Sequence, residues 1–253
     1  MTAWSRTSRF TLIFAGAISI PFSASATCKL SKCSPDVDAA TTATVPVIVQ
    51  YVSDPSDAEV TGVNALGSVS NRMHSVKAIA AKVSASQLEA LASRPGVAYV
   101  SLDRPVKARQ QAATPIGTTP EFTAEPINAP WAVAQGFNGQ GVGVAVIDSG
   151  ITITSDLGVK TNGNPRSRVV YSANFVPNET TTADAYGHGT HVAGLIAGNG
   201  ASSTGTTYSR TFLGIAPAAN LVNLRVLDEN GEGSDSAVIA AIETAISLKN
   251  IYN

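Results

Sequence analysis

The chain predicts an α/β fold: a parallel sheet wound by helices on both faces, preceded by a smaller α+β unit. Three observations carry this. Two apolar runs, "GVGVAVI" at 141–147 and "NLVNLRVL" at 220–227, are nearly unbroken, as strands buried on both faces are. Helical patterns separate and follow them, which is the order of βα repeats. From 44 to 107, shorter runs alternate apolar with polar residues, the pattern of half-buried strands.

Taken in order, "TVPVIVQYV" at 44–52 reads as a strand, rich in β-branched residues. "DPSDAEVTGVNAL" carries turn residues and then a helical spacing through Val60, Val63 and Leu66. "HSVKAIAAKV" at 74–83 alternates again. "SASQLEALASRPG" opens on Ser84 as the expected N-cap and stops at Pro95-Gly96, and "VAYVSL" at 97–102 is a last strand. This succession resembles an open ferredoxin-like sandwich. Residues 108–130 are rich in Pro, Thr, Ala and Gln without any period and read as a linker. Structure resumes at 131 with "WAVAQG", a short helix stopped by Gly136, and runs to 253. "THVAGLIAG" continues as a helix of small residues, and "SDSAVIAAIETAISLKN" is an amphipathic helix with Ile239, Ile242 and Ile246 on one face.

Composition excludes several classes. At 44% hydrophobic and 14% charged residues the chain is ordinary for a soluble globular protein. Up to Arg109 there are 11 basic against 7 acidic residues, and beyond it 6 against 11. Neither half carries the basic stripe of a nucleic-acid binder, and the opposite signs suggest two modules that dock on each other. Residues 1–26 read as a secretory signal: Arg6 and Arg9, the short apolar run "FTLIFAGAISIPF", and "ASA" at 24–26. Export is therefore expected, with no membrane span once the signal is removed. Cys28 and Cys33, the two cysteines of the chain, are close enough to close a small disulfide loop. "NET" at 178–180 is a glycosylation sequon relevant only to a eukaryotic host.

The chemistry gathers at two stretches, "GVAVIDSG" at 143–150 and "DAYGHGTHVAGLIAG" at 184–198. Asp148 lies one residue past an apolar strand, at the carboxyl end where open parallel sheets bind ligands. His188 lies between Gly187 and Gly189 at the start of a helix whose small residues allow close packing on the sheet. An orienting carboxylate and a general base are the pairing such residues would make. Alternatives are an aspartic-protease site at Asp148, a metal site at His188, His191 and Asp184, and a dinucleotide site at "GQGVG". The first needs a second carboxylate motif, the second a further ligand, and the third glycines that follow the strand instead of preceding it.

These two stretches resemble the aspartate and histidine motifs of the subtilisin-like serine peptidases, the subtilases. "HSVKAIAAKVSASQLEALASRPGVAYVSLDRPV" is similar to that family's propeptide inhibitor domain, and "LGIAPAANLVNLRVLDENGEGSDSAVIAAIETAI" to the segment that follows its histidine. The resemblance implies a signal peptide at 1–26, a propeptide at 44–107 docking in cis, a linker at 108–130 cut within 105–125, and part of a catalytic domain at 131–253. It implies Asp148 as the orienting acid, His188 as the general base and His191 as a packing residue. Gly231, Glu232 and Gly233 would be the edge that pairs with an extended peptide or protein substrate. No cofactor is expected; the family allows calcium, but the loop at 199–213 holds no acidic residue.

The family order is Asp, His, Ser, with the serine in a "GTSMA"-like motif and an oxyanion-hole Asn before it. Only 65 residues follow His188. Ser202, Ser203, Ser209, Ser234, Ser236 and Ser247 lie among them, none in that context. The doubly wound sheet is thus expected to be incomplete, and these 253 residues by themselves inactive. A different class of function is a secreted, non-catalytic protein acting through 44–107 as a protease inhibitor or folding chaperone.

Overall fold

The computed structural model describes residues 31–38, 43–108, 124–161 and 164–252. The expected signal, Cys28 and most of the expected linker lie outside the described residues. Cys33 is disulfide-bonded.

The first unit runs α1 (Pro35–Asp38), β1 (Thr44–Tyr51), α2 (Asp57–Asn64), β2 (Gly67–Met73), β3 (Ala78–Ser84), α3 (Leu88–Ala92), β4 (Val97–Leu102) and β5 (Pro105–Lys107). Its antiparallel sheet has the order β2-β3-β1-β4, the ferredoxin-like arrangement expected, with one strand more than the sequence reading found. Val47, Val49, Ile79, Ala81, Val83 and Val100 face α2 and α3, whose Val63, Leu88 and Leu91 close an entirely apolar core. Alternation along β1 and β3 puts these side chains on one face, so the pattern seen in sequence is the pattern of burial. Helix α2 starts at a capping box: Ser56 Oγ accepts the Glu59 N–H while the Glu59 carboxylate accepts the Ser56 N–H. Ser84, the expected N-cap of the second helix, makes no such bond. The chain enters α3 through a 3₁₀ turn at Ala85–Gln87, and the Ser84 hydroxyl meets that of Ser86 instead.

The second unit contains α4 (Ala129–Ala134), β6 (Gly143–Asp148), a hairpin of β7 (Gly158–Thr161) and β8 (Asn164–Ser167), β9 (Val169–Asn174), α5 (His188–Ala197), β10 (Asn220–Arg225), β11 (Glu232–Ser234) and α6 (Asp235–Tyr252). Strands β6, β10 and β9 form a parallel sheet with β10 central. Side chains alternate across it. Val146 and Leu221 pack under α5 with Ala193 and Ala197, whereas Val222 and Leu224 pack under α6 with Ala237 and Ala241. Helices therefore cover both faces, as the two apolar runs predicted.

The isoleucine stripe of α6 is not its core face. Ala237 and Ala241 are buried against the sheet, and Ile242 and Ile246 are exposed. Small side chains let the helix lie close to β10, and only Ile239 of the stripe is covered, by Met73, Ala78 and Ala80 of the first unit. Several contacts join the units, this one and the bond from the Ser75 hydroxyl to Glu243 among them. Asp103 accepts the Ser236 N–H at 2.8 Å and its hydroxyl at 2.7 Å, placing a carboxylate at the N-terminus of α6. Strand β5 pairs antiparallel with β11.

Candidate active site

Asp148 is the last residue of β6, in register with Arg225 at the end of the central strand. Its backbone carbonyl accepts the amides of Val226 and Leu227 as the chain leaves β10, which anchors the strand end. The carboxylate is nearly buried, and both its oxygens lie 2.8 Å from Nδ1 of His188, the first residue of α5. A carboxylate only accepts, so the Nδ1 N–H donates to Asp148, and in the neutral ring with that tautomer the lone pair is on Nε2. Among the described residues no hydroxyl is hydrogen-bonded to that Nε2.

Glycine makes this approach possible. A Cβ on Gly189 would stand 2.2 Å from the Gly150 carbonyl oxygen and 3.2 Å from the Asp148 Cβ, so any side chain would push α5 off the strand end. Gly187 turns into the helix with φ +94°, in the left-handed region.

Three residues that sequence reading missed, or read otherwise, hold the pair. Ser149 is fully buried; its hydroxyl accepts the Gly189 N–H at 2.9 Å and donates to Asp184 Oδ1 at 2.8 Å. Asp184 is engaged by backbone amides. Its oxygens accept the Gly187 and Thr190 N–H groups, each at 2.7 Å, capping α5. Burial raises the Asp184 pKa, but the hydrogen bonds from Thr190, Gly187 and Ser149 outweigh it and hold the carboxyl below its ordinary value. Arg225, 1% exposed, donates to the Ser149 carbonyl, to Thr181 O and to Glu179 Oε2 at 2.6 Å. The cap was legible as an Asp four residues before His188; a buried arginine inside "NLVNLRVL" gave no signal.

His191, expected to pack, is exposed and lines a shallow cavity with Gly194, Leu195, Phe212 and Leu213. It does not join His188 and Asp184, and among the described residues no three His, Cys, Asp or Glu are grouped to hold a metal ion. A calcium ion is poorly matched to the loop at 199–213. Asn199 Oδ1 already accepts the Ala201 N–H, Gly200 O accepts from Ser203 and Thr204, and Asp156 Oδ1 accepts the Ser202 N–H. The nearby Asp156 carbonyl accepts from the buried Arg168 guanidinium.

Gly231, Glu232 and Gly233 lie on the paired edge. Glu232, Gly233 and Ser234 face Lys107, Val106 and Pro105, and the Ala108 N–H donates to Gly231 O at 2.8 Å. A Cβ on Gly231 would lie 2.6 Å from the Tyr186 ring, two residues from His188. The edge strand thus leads toward the histidine.

Two known families match the chain. Residues 139–253 match the subtilase family, and residues 59–109 match the peptidase inhibitor I9 family. The chain belongs to the subtilase family. It is 38% identical to subtilisin E of Bacillus subtilis (strain 168) over 182 residues, which are 72% of this chain and 42% of that protein. It is 33% identical to an alkaline protease of Shouchella clausii over 175 residues, 69% of this chain and 40% of the relative. Serine protease AprX of Bacillus subtilis (strain 168) is 33% identical over 177 residues, 70% of this chain and 35% of that protein. This subtilase chain therefore spans about two fifths of the length of the curated relatives it matches. Among its described residues no helix is long and apolar enough to cross a membrane.

Proposed function

We propose that this chain is precursor sequence of a secreted subtilisin-like serine endopeptidase, with His188 as general base and Asp148 as the group that orients it. The observation that carries the reading is the grip of both Asp148 oxygens on Nδ1 of His188 at the carboxyl end of the parallel sheet. In that arrangement Nε2 takes the proton of a serine hydroxyl as its oxygen attacks the peptide carbonyl. It then returns the proton to the departing amine, while Asp148 stabilises the imidazolium formed in between. The serine and the oxyanion donors come from outside the described residues. A peptide or protein substrate adds as a strand along Gly231, Glu232 and Gly233.

The segments divide accordingly. Residues 1–26 direct export, 44–107 are the inhibitory unit, 108–130 the severable linker, and 131–253 catalytic sequence. Strand β5 lies where a substrate strand would lie, so the first unit blocks the edge until the linker is cut. A stand-alone inhibitor or chaperone is the weaker reading, because the first unit's docking groups are engaged by residues 231–243 of its own chain.

The test is covalent labelling by a fluorophosphonate of the protein secreted from the complete reading frame. The unaltered protein labels on one serine; His188→Ala and Asp148→Asn slow hydrolysis of a peptide substrate by about 10⁴-fold. Labelling and hydrolysis that survive His188→Ala overturn the reading.

A further inference from the structure

We propose that Glu232 is a specificity-determining residue of the β11 edge, selecting a basic side chain at the position of an incoming strand that faces it. The inference rests on the reading of β11 as the substrate edge and adds to it a charge preference.

The occupant already on the edge shows the arrangement. Along β5, Val106 and Ala108 turn toward the apolar cluster of Val222, Leu224, Val226 and Leu227, while Pro105 and Lys107 point to solvent. Lys107 stands directly opposite Glu232, and its ammonium donates to Glu232 Oε1 at 2.6 Å. That bond raises the Lys107 pKa, so the side chain stays cationic throughout the neutral range.

The backbone of Glu232 is also held by its own turn. Its N–H donates to Asp228 Oδ1 at 3.0 Å, and its carbonyl accepts the Asp228 N–H at 2.8 Å, closing a tight turn. The rim around it is of one sign. "DENGEGSD" at 228–235 carries Asp228, Glu229, Glu232 and Asp235 with no Lys or Arg among them. A strand with a cation at the facing position gains from the contact and from that rim, whereas an acidic residue there meets like charge. Gly233, beside Glu232, lets β11 lie close to the chain leaving β10, because a Cβ there would lie 2.3 Å from the Val226 carbonyl oxygen.

The test uses the full chain, with the occupant as its own probe. Position 107 is varied through Lys, Arg, Ala and Glu, on both the unaltered background and Glu232→Lys. Amide hydrogen exchange at Ala108, whose N–H is bonded to Gly231 O, reports strand pairing. With Glu232 present, Lys and Arg protect equally, Ala exchanges about 2- to 5-fold faster, as an exposed pair implies, and Glu faster still. On Glu232→Lys the order inverts, with Lys107→Glu the best protected. An order that is flat, or the same on both backgrounds, overturns the charge preference and leaves the edge assignment standing. An Ala108 amide unprotected in the unaltered chain overturns both.

Discussion

The two units bury different things. In the first, the buried side chains form one large apolar cluster from Cys33 to Val100 and a small one at Met73, Ala78 and Ala80, and Ser34 is the only buried polar or charged residue among those described. In the second, Asp148, Ser149, Arg168, Asn223, Arg225 and Ser236 are all buried. The first unit is therefore held by side-chain packing, which is tolerant of exchange between apolar residues. The second adds to its two apolar clusters a network of buried hydrogen bonds, and breaking one of these costs more than it contributed, because the partner left behind stays in a low-dielectric interior. A site that keeps a carboxylate and an imidazole at the end of a buried strand demands such surroundings.

The comparison is broken most strongly at Arg225. Arg225→Met removes a buried cation and strands Glu179, Ser149 O and Thr181 O, with an expected loss of about 3–5 kcal/mol in urea unfolding. Hydrogen exchange then shows β6 and β10 losing protection while β1 and β3 keep theirs; equal loss in both would make the units one cooperative whole.

Asp184→Ala has a smaller effect, about 1–2 kcal/mol for a lost helix cap. Its pH dependence has a definite sign. The folded carboxyl is held below its ordinary 3.8, so the contribution is complete above that value and disappears as pH falls through the folded pKa. The stability gap between the two proteins should be constant at neutral pH and close in acid; a gap that widens in acid contradicts the cap.

The smallest effect should have the opposite sign. Tyr51 Oη is buried in the first unit with no partner among the described residues, and burial, followed by the nearby Glu59 charge, raises its pKa. Tyr51→Phe removes an unpaired polar atom from an apolar core and should stabilise it by up to about 1 kcal/mol, read from the urea midpoint. Destabilisation would mean that the hydroxyl has a partner in solution.

Those same differences decide what could be read in the sequence. Alternation in β1 and β3 and unbroken apolar runs in β6 and β10 report burial directly, so the fold class followed from them. Asp148 and His188 stood out because each sits at the junction of a strand or helix with glycine. Strand β2, "GSVSNRM", escaped because few of its residues are apolar; it is held by its register with β3. The stripe Ile239, Ile242 and Ile246 misled because alanines, with less hydrophobic weight, let α6 approach β10 more closely. Arg168 and Arg225 gave no sign of burial, since their partners are mostly backbone carbonyls contributed by distant loops.

Arg168 has one more consequence. Its guanidinium donates to the carbonyls of Asp156, Ala197 and Ala219, tying the turn before β7, the last turn of α5 and the approach to β10 to one positive charge. Convergent carbonyl oxygens around a cation are also how proteins capture dissolved ions, and stability gained that way rises and falls with the free concentration of the ion. Here the cation is covalently part of the chain. Its occupancy follows no mass action, and no chelator can withdraw it from this junction behind the histidine helix.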